Sequence, residues 1–321
     1  MAKRYLDPKA DLTFKKVFGE HPDLVISLLN ALLPFTTEEE EISTIEYLSP
    51  EMVPDNPLRK YSIVDVRCKD NRGRQFIVEM QMIWSKEFKQ RVMLNSAKAY
   101  VSQLRNKEDY HLLEPVYSLN LVNDVFEPDI PDYYHYYRMV HSKYTNKVID
   151  GLHLVFVELP KFKPHTIREK KMKVLWLRYL TEIEESTLSV PEEMLTNPEI
   201  NKALTVLEES AYTPEQLLGY DKFWDIIRTE KTLYNSAERR GYATGMEKGI
   251  EKGMAQGMEK GMAQGMEKGM AQGMAQGMAQ GIEKGRRESM LKVAANLKAL
   301  GLATADIVKA TGLTEKDIED I

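Results

Sequence analysis

The sequence predicts an α/β domain extended by helical segments. Three observations carry this. Residues 60–69 and 74–84 alternate in polarity and are rich in β-branched and aromatic residues, the pattern of half-buried strands. Helical patterns flank them, and two more strand-like stretches follow at 115–126 and 152–162. Glycine is confined: 12 of the 18 glycines, Gly241 to Gly285, recur every fourth residue, so the rest of the 321-residue chain is glycine-poor.

Taken in order, residues 11–33 read as one helix. Phe14, Val17 and Phe18 form its apolar stripe, and Leu24, Ile26, Leu28 and Leu29 extend it past Pro22. The acidic run Glu38 to Glu41 is a solvated connection, residues 42–48 a short strand, and residues 50–57, with three prolines, an irregular loop. The strands 60–69 and 74–84 follow, joined by DNRG. Residues 85–107 form a helix opened by Ser85, with Glu87 in its first turn. The order helix, strand, strand hairpin, helix, strand makes an α/β sandwich rather than a bundle. From about residue 167 to 240 the pattern is helical, and the repeat then begins.

Composition excludes several classes. A single cysteine, Cys68, rules out a disulfide scaffold and a multi-cysteine zinc site. MAKRYLDPKADLTFKK lacks the apolar stretch of a secretory signal, and no run reaches the 18 or more apolar residues of a membrane span, so a cytoplasmic protein without a membrane segment is expected. The net charge is −5. Residues 1–110 hold 17 basic and 17 acidic side chains and residues 111–239 hold 15 and 21, so any DNA site must be a local basic groove. The six histidines form no metal-ligand spacing and are expected at the surface or in turns. YYHYYRMVH, at 133–141, reads as an aromatic strand, although such a platform also suits base stacking.

The hairpin carries the chemistry. Asn71-Arg72-Gly73 suits a three-residue loop whose last position has positive φ, which glycine takes without steric cost. Closing the turn there pairs Asp70 with Arg74 and sets Asp65 opposite Glu79 and Ile63 opposite Gln81. Alternation then places Asp65, Glu79 and Gln81 on one face. The other face, with Val64, Val66, Cys68, Phe76, Val78, Met80 and Met82, is the core. Opposed carboxylates about 5 Å apart at Cβ repel. Either the pair is a solvated edge, or a cation such as Mg²⁺ or Mn²⁺, suited to hard oxygen ligands, lies between them.

DLTFKKVFG, then SIVDVRCKDNRGRQFIVEMQ, RVMLNSAKAYVSQL and FVELPKF, resemble in order the Rpn family. These are recombination-promoting nucleases, also called transposases, of the PD-(D/E)XK nuclease superfamily. The resemblance covers roughly residues 5–165 and the glycine-repeat tail. It implies a restriction-endonuclease-like core of order α-β-β-β-α-β. It also implies Mg²⁺-dependent (Mn²⁺ as a substitute) hydrolysis of DNA phosphodiesters, with Asp65, Glu79 and the Met80 carbonyl around the metal. Gln81 stands where the superfamily usually has lysine, as in the Rpn pattern; glutamine can orient a water but supplies no charge.

Asp11 is either a helix N-cap or, by the resemblance, a further acid of the catalytic set. Lys15 and Lys16 either touch phosphate or form a wet helix face. Arg91, Asn95, Lys98 and Ser102 share one face of the 85–107 helix, and Tyr100 and Gln103 a neighbouring one. Arg91, Lys98, Tyr100 and Gln103 are the DNA-contact candidates, with Lys98 able to stand in for the missing strand lysine; the competing reading is a solvated helix face.

The chain therefore divides into a nuclease-like core at 1–165, a helical region at 166–240, a Gly-x-x-x repeat spacer at 241–288 and a small helical module at 289–321. Glycine every fourth residue disfavours an isolated helix by ~1 kcal/mol each, so the spacer is either an extended helix or a partly ordered linker. The end resembles a helix-turn-helix, but its second helix would carry Glu315, Asp317, Glu319 and Asp320, which phosphate repels. Self-association through the tail, or docking of a protein partner, is expected instead. The function expected overall is a metal-dependent DNA endonuclease active in recombination or in defence against foreign DNA. The alternative is a catalytically inactive protein that keeps the fold for DNA or protein binding.

Overall fold

The computed structural model describes residues 4–52, 62–105, 107–164 and 171–321. The chain separates into two compact units, one ending at Tyr234 and one running from Asn235 to Ile321. The first opens with helices α1 (Asp11–Glu20) and α2 (Pro22–Leu32). Strands β1 (Ile45–Tyr47), β2 (Glu51–Met52), β3 (Ser62–Ile63), β4 (Val66–Asp70) and β5 (Gln75–Gln81) come next. Helix α3 (Phe88–Val101) leads to β6 (Val116–Val122), β7 (Tyr134–Val140) and β8 (Val148–Glu158). Helices α4 (Lys171–Glu182), α5 (Glu192–Thr196), α6 (Pro198–Val206) and α7 (Pro214–Ala299) follow.

Six strands form one sheet in the order β1-β4-β5-β6-β8-β7. The pairs β1/β4, β4/β5 and β7/β8 are antiparallel, and β5/β6 and β6/β8 parallel. A parallel neighbour requires a crossover, which α3 supplies between β5 and β6. Each face of the sheet then needs a cover. Val66, Cys68, Phe76, Val78, Leu119, Leu121, Val155 and Val157 face a cluster completed by Phe14, Phe18, Leu24, Leu28, Trp176, Leu177 and Leu204 of α1, α2, α4 and α6. Ile77, Val116, Val122 and Phe156 point the other way, onto Phe88, Val92 and Ala99 of α3. The mixed α/β core and the large helical region after it agree with the sequence. Helix α4, read as lying beyond the core, packs in the same cluster as the sheet.

Several details differ from the expectation. The first helix is two, broken at His21 (φ −124°, ψ 93°), because Pro22 disfavours helical backbone in the residue before it and takes the first position of α2. The first hairpin strand is also two: the chain bends at Asp65, and Val64 packs with Ile77 on the α3 face instead of with Val66. Its start at residues 60–61 and most of the 50–57 loop lie outside the described residues, as does His165. Helix α3 begins at Phe88, whose N–H donates to the Ser85 carbonyl, with Glu87 preceding it and no side-chain cap. Within the 133–141 stretch, Tyr134–Val140 form the edge strand β7. His135 and His153 are buried, not superficial, because acids of the sheet partner them. His135 Nε2 lies 3.0 Å from Glu158 Oε2, and His153 sits between the Tyr136 hydroxyl (2.6 Å) and Asp150 Oδ1 (2.5 Å).

In the second unit, residues 241–285 are helical throughout α7, and every one of them is exposed. Methionine, glutamine, alanine, glutamate and lysine between the glycines are all good helix formers, which offsets the glycine penalty. Helices α8 (Thr304–Thr311) and α9 (Glu315–Glu319) close a small cluster of Ala294, Ile307, Leu313 and Ile318. Gly312 ends α8 in the left-handed region at φ +71°, and Thr314 and Asp317 cap α9 reciprocally. No helix among the described residues is long and apolar enough to cross a membrane.

Gly73 turns the central hairpin at φ +87°, with its N–H donating to the Asp70 carbonyl at 3.1 Å and the Asp70 N–H donating to the Arg74 carbonyl at 3.0 Å. A Cβ there would also sit 3.3 Å from Glu114 Cγ. Gly73→Ala is expected to cost about 1–2 kcal/mol, read as a lower urea midpoint with an unchanged slope.

Candidate active site

The turn at Gly73 propagates into the register it implies: Val66 opposes Val78, Arg67 Ile77, Cys68 Phe76 and Lys69 Gln75. One step further, Asp65 and Glu79 correspond, but the β4 ladder stops at Val66. Freed from the strand, the Asp65 carboxylate takes a ladder position itself, its Oδ2 accepting the Met80 N–H at 2.8 Å. The N–H and C=O of one strand residue point to the same side, so the Met80 carbonyl is directed toward the Asp65 side of β5. The next carbonyl, that of Gln81, points the opposite way and accepts the Asn123 N–H at 2.8 Å.

Glu79 is 5% exposed and faces α3. Its Oε1 accepts the Asn95 side-chain amide at 3.0 Å, and its Oε2 lies 3.6 Å from Arg91 Nη2. Gln81, two residues on and on the same face, accepts Arg91 Nη2 at 2.6 Å and donates from Nε2 to the Ile83 carbonyl at 2.5 Å. The polar face of α3 is thus turned toward the sheet, with Arg91 and Ser102 still open to solvent. Arg91 and Asn95 reach β5, Lys98 donates to Ser62 Oγ at 2.6 Å, and Ser102 receives Arg67 Nη2 at 3.1 Å.

Of the other expected contacts, Gln103 holds the backbone of Glu114 through two 2.9 Å hydrogen bonds, one donated and one accepted. Tyr100 packs beside Ala99 and Val116, and lies against Gly151, where a Cβ would meet its ring at 3.5 Å. Asp11 occupies the first helical position of α1, after Ala10, and pairs with Lys15 Nζ at 2.7 Å. An acid there interacts favourably with the helix dipole. Asp11 nonetheless joins Asp65, Met80 and Gln81 in lining a cavity of about 160 Å³. Met82 and Ile83 just after β5, Lys9 from the start of the chain, and Phe223, Ile227 and Glu230 from α7 complete its wall. A wider hollow of about 350 Å³ adjoins it through Asp11 and Phe223, lined by Lys15 and Lys16. Asn95 was legible as a member of the α3 face but not as the partner of Glu79. The α7 residues carry no local signal of the site at all.

The two acids titrate abnormally. Burial pushes Asp65 up to about 6, against the Met80 N–H bond and the Lys15 charge. Burial pushes Glu79 up to about 7, the Asp65 charge adding to it and the Asn95 bond and Arg91 charge opposing it. A buried and a half-buried carboxylate, raised in this way and presenting hard oxygen donors beside a main-chain carbonyl, suit a divalent cation of the Mg²⁺ or Mn²⁺ type. Among the described residues no group of three or more His, Cys, Asp or Glu side chains is placed to hold a metal, so a cation here would rest on two carboxylates, a backbone oxygen and water.

The raised values make the metal-free fold pH-dependent. An unfolded glutamate loses its proton near 4.5 and the folded Glu79 near 7, so between those values the folded state binds more protons. That stabilisation is complete below about pH 4.5 and disappears as pH rises through 7. Glu79→Gln keeps the Asn95 contact and removes the buried charge. Scanning calorimetry in chelator is expected to show the variant stabilised at pH 8, by on the order of 3 kcal/mol at most, and level with wild type at pH 4.

No curated protein and no solved structure matches the chain. Residues 8–235, well over half of it, match the family described as PD-(D/E)XK nuclease family transposase. The match starts just before α1 and ends in α7 just beyond the residues that wall the acid cavity, so it takes in every side chain of the site. The chain belongs to the PD-(D/E)XK nuclease family transposases.

Proposed function

We propose that the chain is a divalent-metal-dependent DNA endonuclease of the Rpn type, hydrolysing phosphodiester bonds in recombination or in defence against foreign DNA. One observation carries the reading: Asp65 is held at 2.8 Å on the N–H of Met80, the residue after Glu79, and burial raises both acids, to about 6 and 7, the Asp65 charge adding to the rise at Glu79. An ordinary structural role gives no return for that cost, whereas a cation would relieve it. Asp65, Glu79 and the Met80 carbonyl would hold Mg²⁺ or Mn²⁺, which when bound supplies a water of lowered pKa and offsets charge developing on the phosphate.

The side chains around them have distinct tasks in this reading. Asn95 fixes one oxygen of Glu79 and leaves the other directed toward Arg91. The Met80 N–H orients Asp65. Asp11, on the cavity wall, adds an acid beside Asp65, and Gln81 extends the polar rim. DNA would approach along α3, where Arg91 is exposed and Lys98, Tyr100 and Gln103 are half-buried. Residues 241–288 would act as a helical spacer, and residues 289–321 as a module for self-association or for a protein partner, in the cytoplasm.

A second reading, a nuclease fold that binds DNA without cutting it, draws on Gln81, which is neutral where the superfamily has lysine. Incubation of supercoiled plasmid with Mg²⁺ or Mn²⁺ separates the two. Wild type is expected to nick it, and Asp65→Ala and Glu79→Ala to lose at least ~10²-fold in rate. Wild-type binding without metal-dependent nicking, or equal nicking by both variants, would leave only the second reading.

A further inference from the structure

We infer that Arg91 supplies from α3 the positive charge that Gln81 lacks, positioning Glu79 and Gln81 with one guanidinium nitrogen and presenting its free edge to the scissile phosphate. The inference rests on the nuclease reading for the identity of that phosphate, and on the following geometry for the residue. Arg91 Nη2 stands 2.6 Å from Gln81 Oε1 and 3.6 Å from Glu79 Oε2, so a single nitrogen serves both members of the motif. Its Nη1 and Nε have no hydrogen-bond partner among the described residues, and the side chain is 50% exposed. A guanidinium has five donors in a rigid planar fork that matches phosphate oxygens two at a time. Here one corner of the fork is committed to the protein and the remainder faces outward.

The fork is also held from below. Its centre lies 4.7 Å from the ring of Phe88, one turn earlier on α3, and Phe88 is 1% exposed in the cluster with Val92, Val122 and Phe156. Glu79 is held independently by Asn95, which is 1% exposed. Arg91 therefore bridges two fixed points rather than swinging as a surface arginine does. Lys98, the other basic residue of this face, donates to Ser62 Oγ on β3 at 2.6 Å.

The test compares wild type with Arg91→Ala, Arg91→Lys, Gln81→Lys and the double variant Arg91→Ala/Gln81→Lys in two assays. In plasmid nicking with Mn²⁺, Arg91→Ala is expected to lose ~10²–10³-fold in rate, with Arg91→Lys losing less and the double variant recovering at least ~10-fold over Arg91→Ala. In fluorescence anisotropy of a labelled DNA duplex with Ca²⁺, the slope of log affinity against log salt is expected to fall by about one in Arg91→Ala and to return in the double variant. A purely structural arginine would not be rescued by a lysine placed on the neighbouring strand. Arg91→Ala unchanged in both assays, or a loss that Gln81→Lys does not recover in either, overturns the inference. If wild type binds duplex but never nicks, the nuclease reading fails by itself, and the salt slopes alone decide whether Arg91 faces phosphate.

Discussion

The site depends on one turn. Gly73, at a positive φ that costs other residues strain, closes the hairpin between Asp70 and Arg74. Because side chains alternate along a strand, a slip of one residue would send Glu79 into the apolar cluster and Phe76 or Val78 toward α3. Asp70 and Arg74 reinforce the closure, the Arg74 Nε donating to Asp70 Oδ2 at 2.7 Å in a pair almost without exposure. The placement of Asp65, Glu79 and Gln81 therefore follows from a backbone conformation and a buried ion pair at the far end of the same hairpin, whereas Asp11 comes from α1.

From that turn the strands run toward an electrostatic conflict. The apolar sheet interior delivers Glu79 into a position with little water, and the bend at Asp65 sets a second carboxylate on the N–H of the next residue, Met80. Charged groups cannot be buried cheaply without partners. The fold gives Glu79 the Asn95 amide and a neighbouring arginine, and gives Asp65 a backbone N–H and the more distant charge of Lys15. These contacts moderate the conflict and leave both acids above their ordinary range. In the proposed function, both acids would release protons to receive a cation near neutral pH.

Much of this was legible in the sequence, for identifiable physical reasons. The asparagine-arginine-glycine turn has one comfortable geometry, so the register from Lys69 opposite Gln75 to Val66 opposite Val78 could be read by counting. The buried stripe of Phe14, Val17 and Phe18 followed from helical spacing. The bend at Asp65 was not legible, since alternation says which way a side chain points and not where a ladder ends. Pro22 signalled a break, yet the apolar pattern runs on through it, because both helices pack on the same cluster. Arg91 and Asn95 could be placed on one helix face, but only the docking of α3 shows that this face is turned onto β5. Phe223, Ile227 and Glu230 reach the cavity through the tertiary return of α7, which no local pattern encodes.

In the proposed function Asp65 and Glu79 share one divalent cation. Titration calorimetry of the full-length protein with Mn²⁺ alone, without DNA, addresses it most directly. Wild type is expected to show a binding event that weakens as pH falls from 7.5 through 6 and that is absent from both Asp65→Asn and Glu79→Gln. Binding that survives in either variant with unchanged affinity, or no binding by folded wild type at pH 7.5, would contradict it.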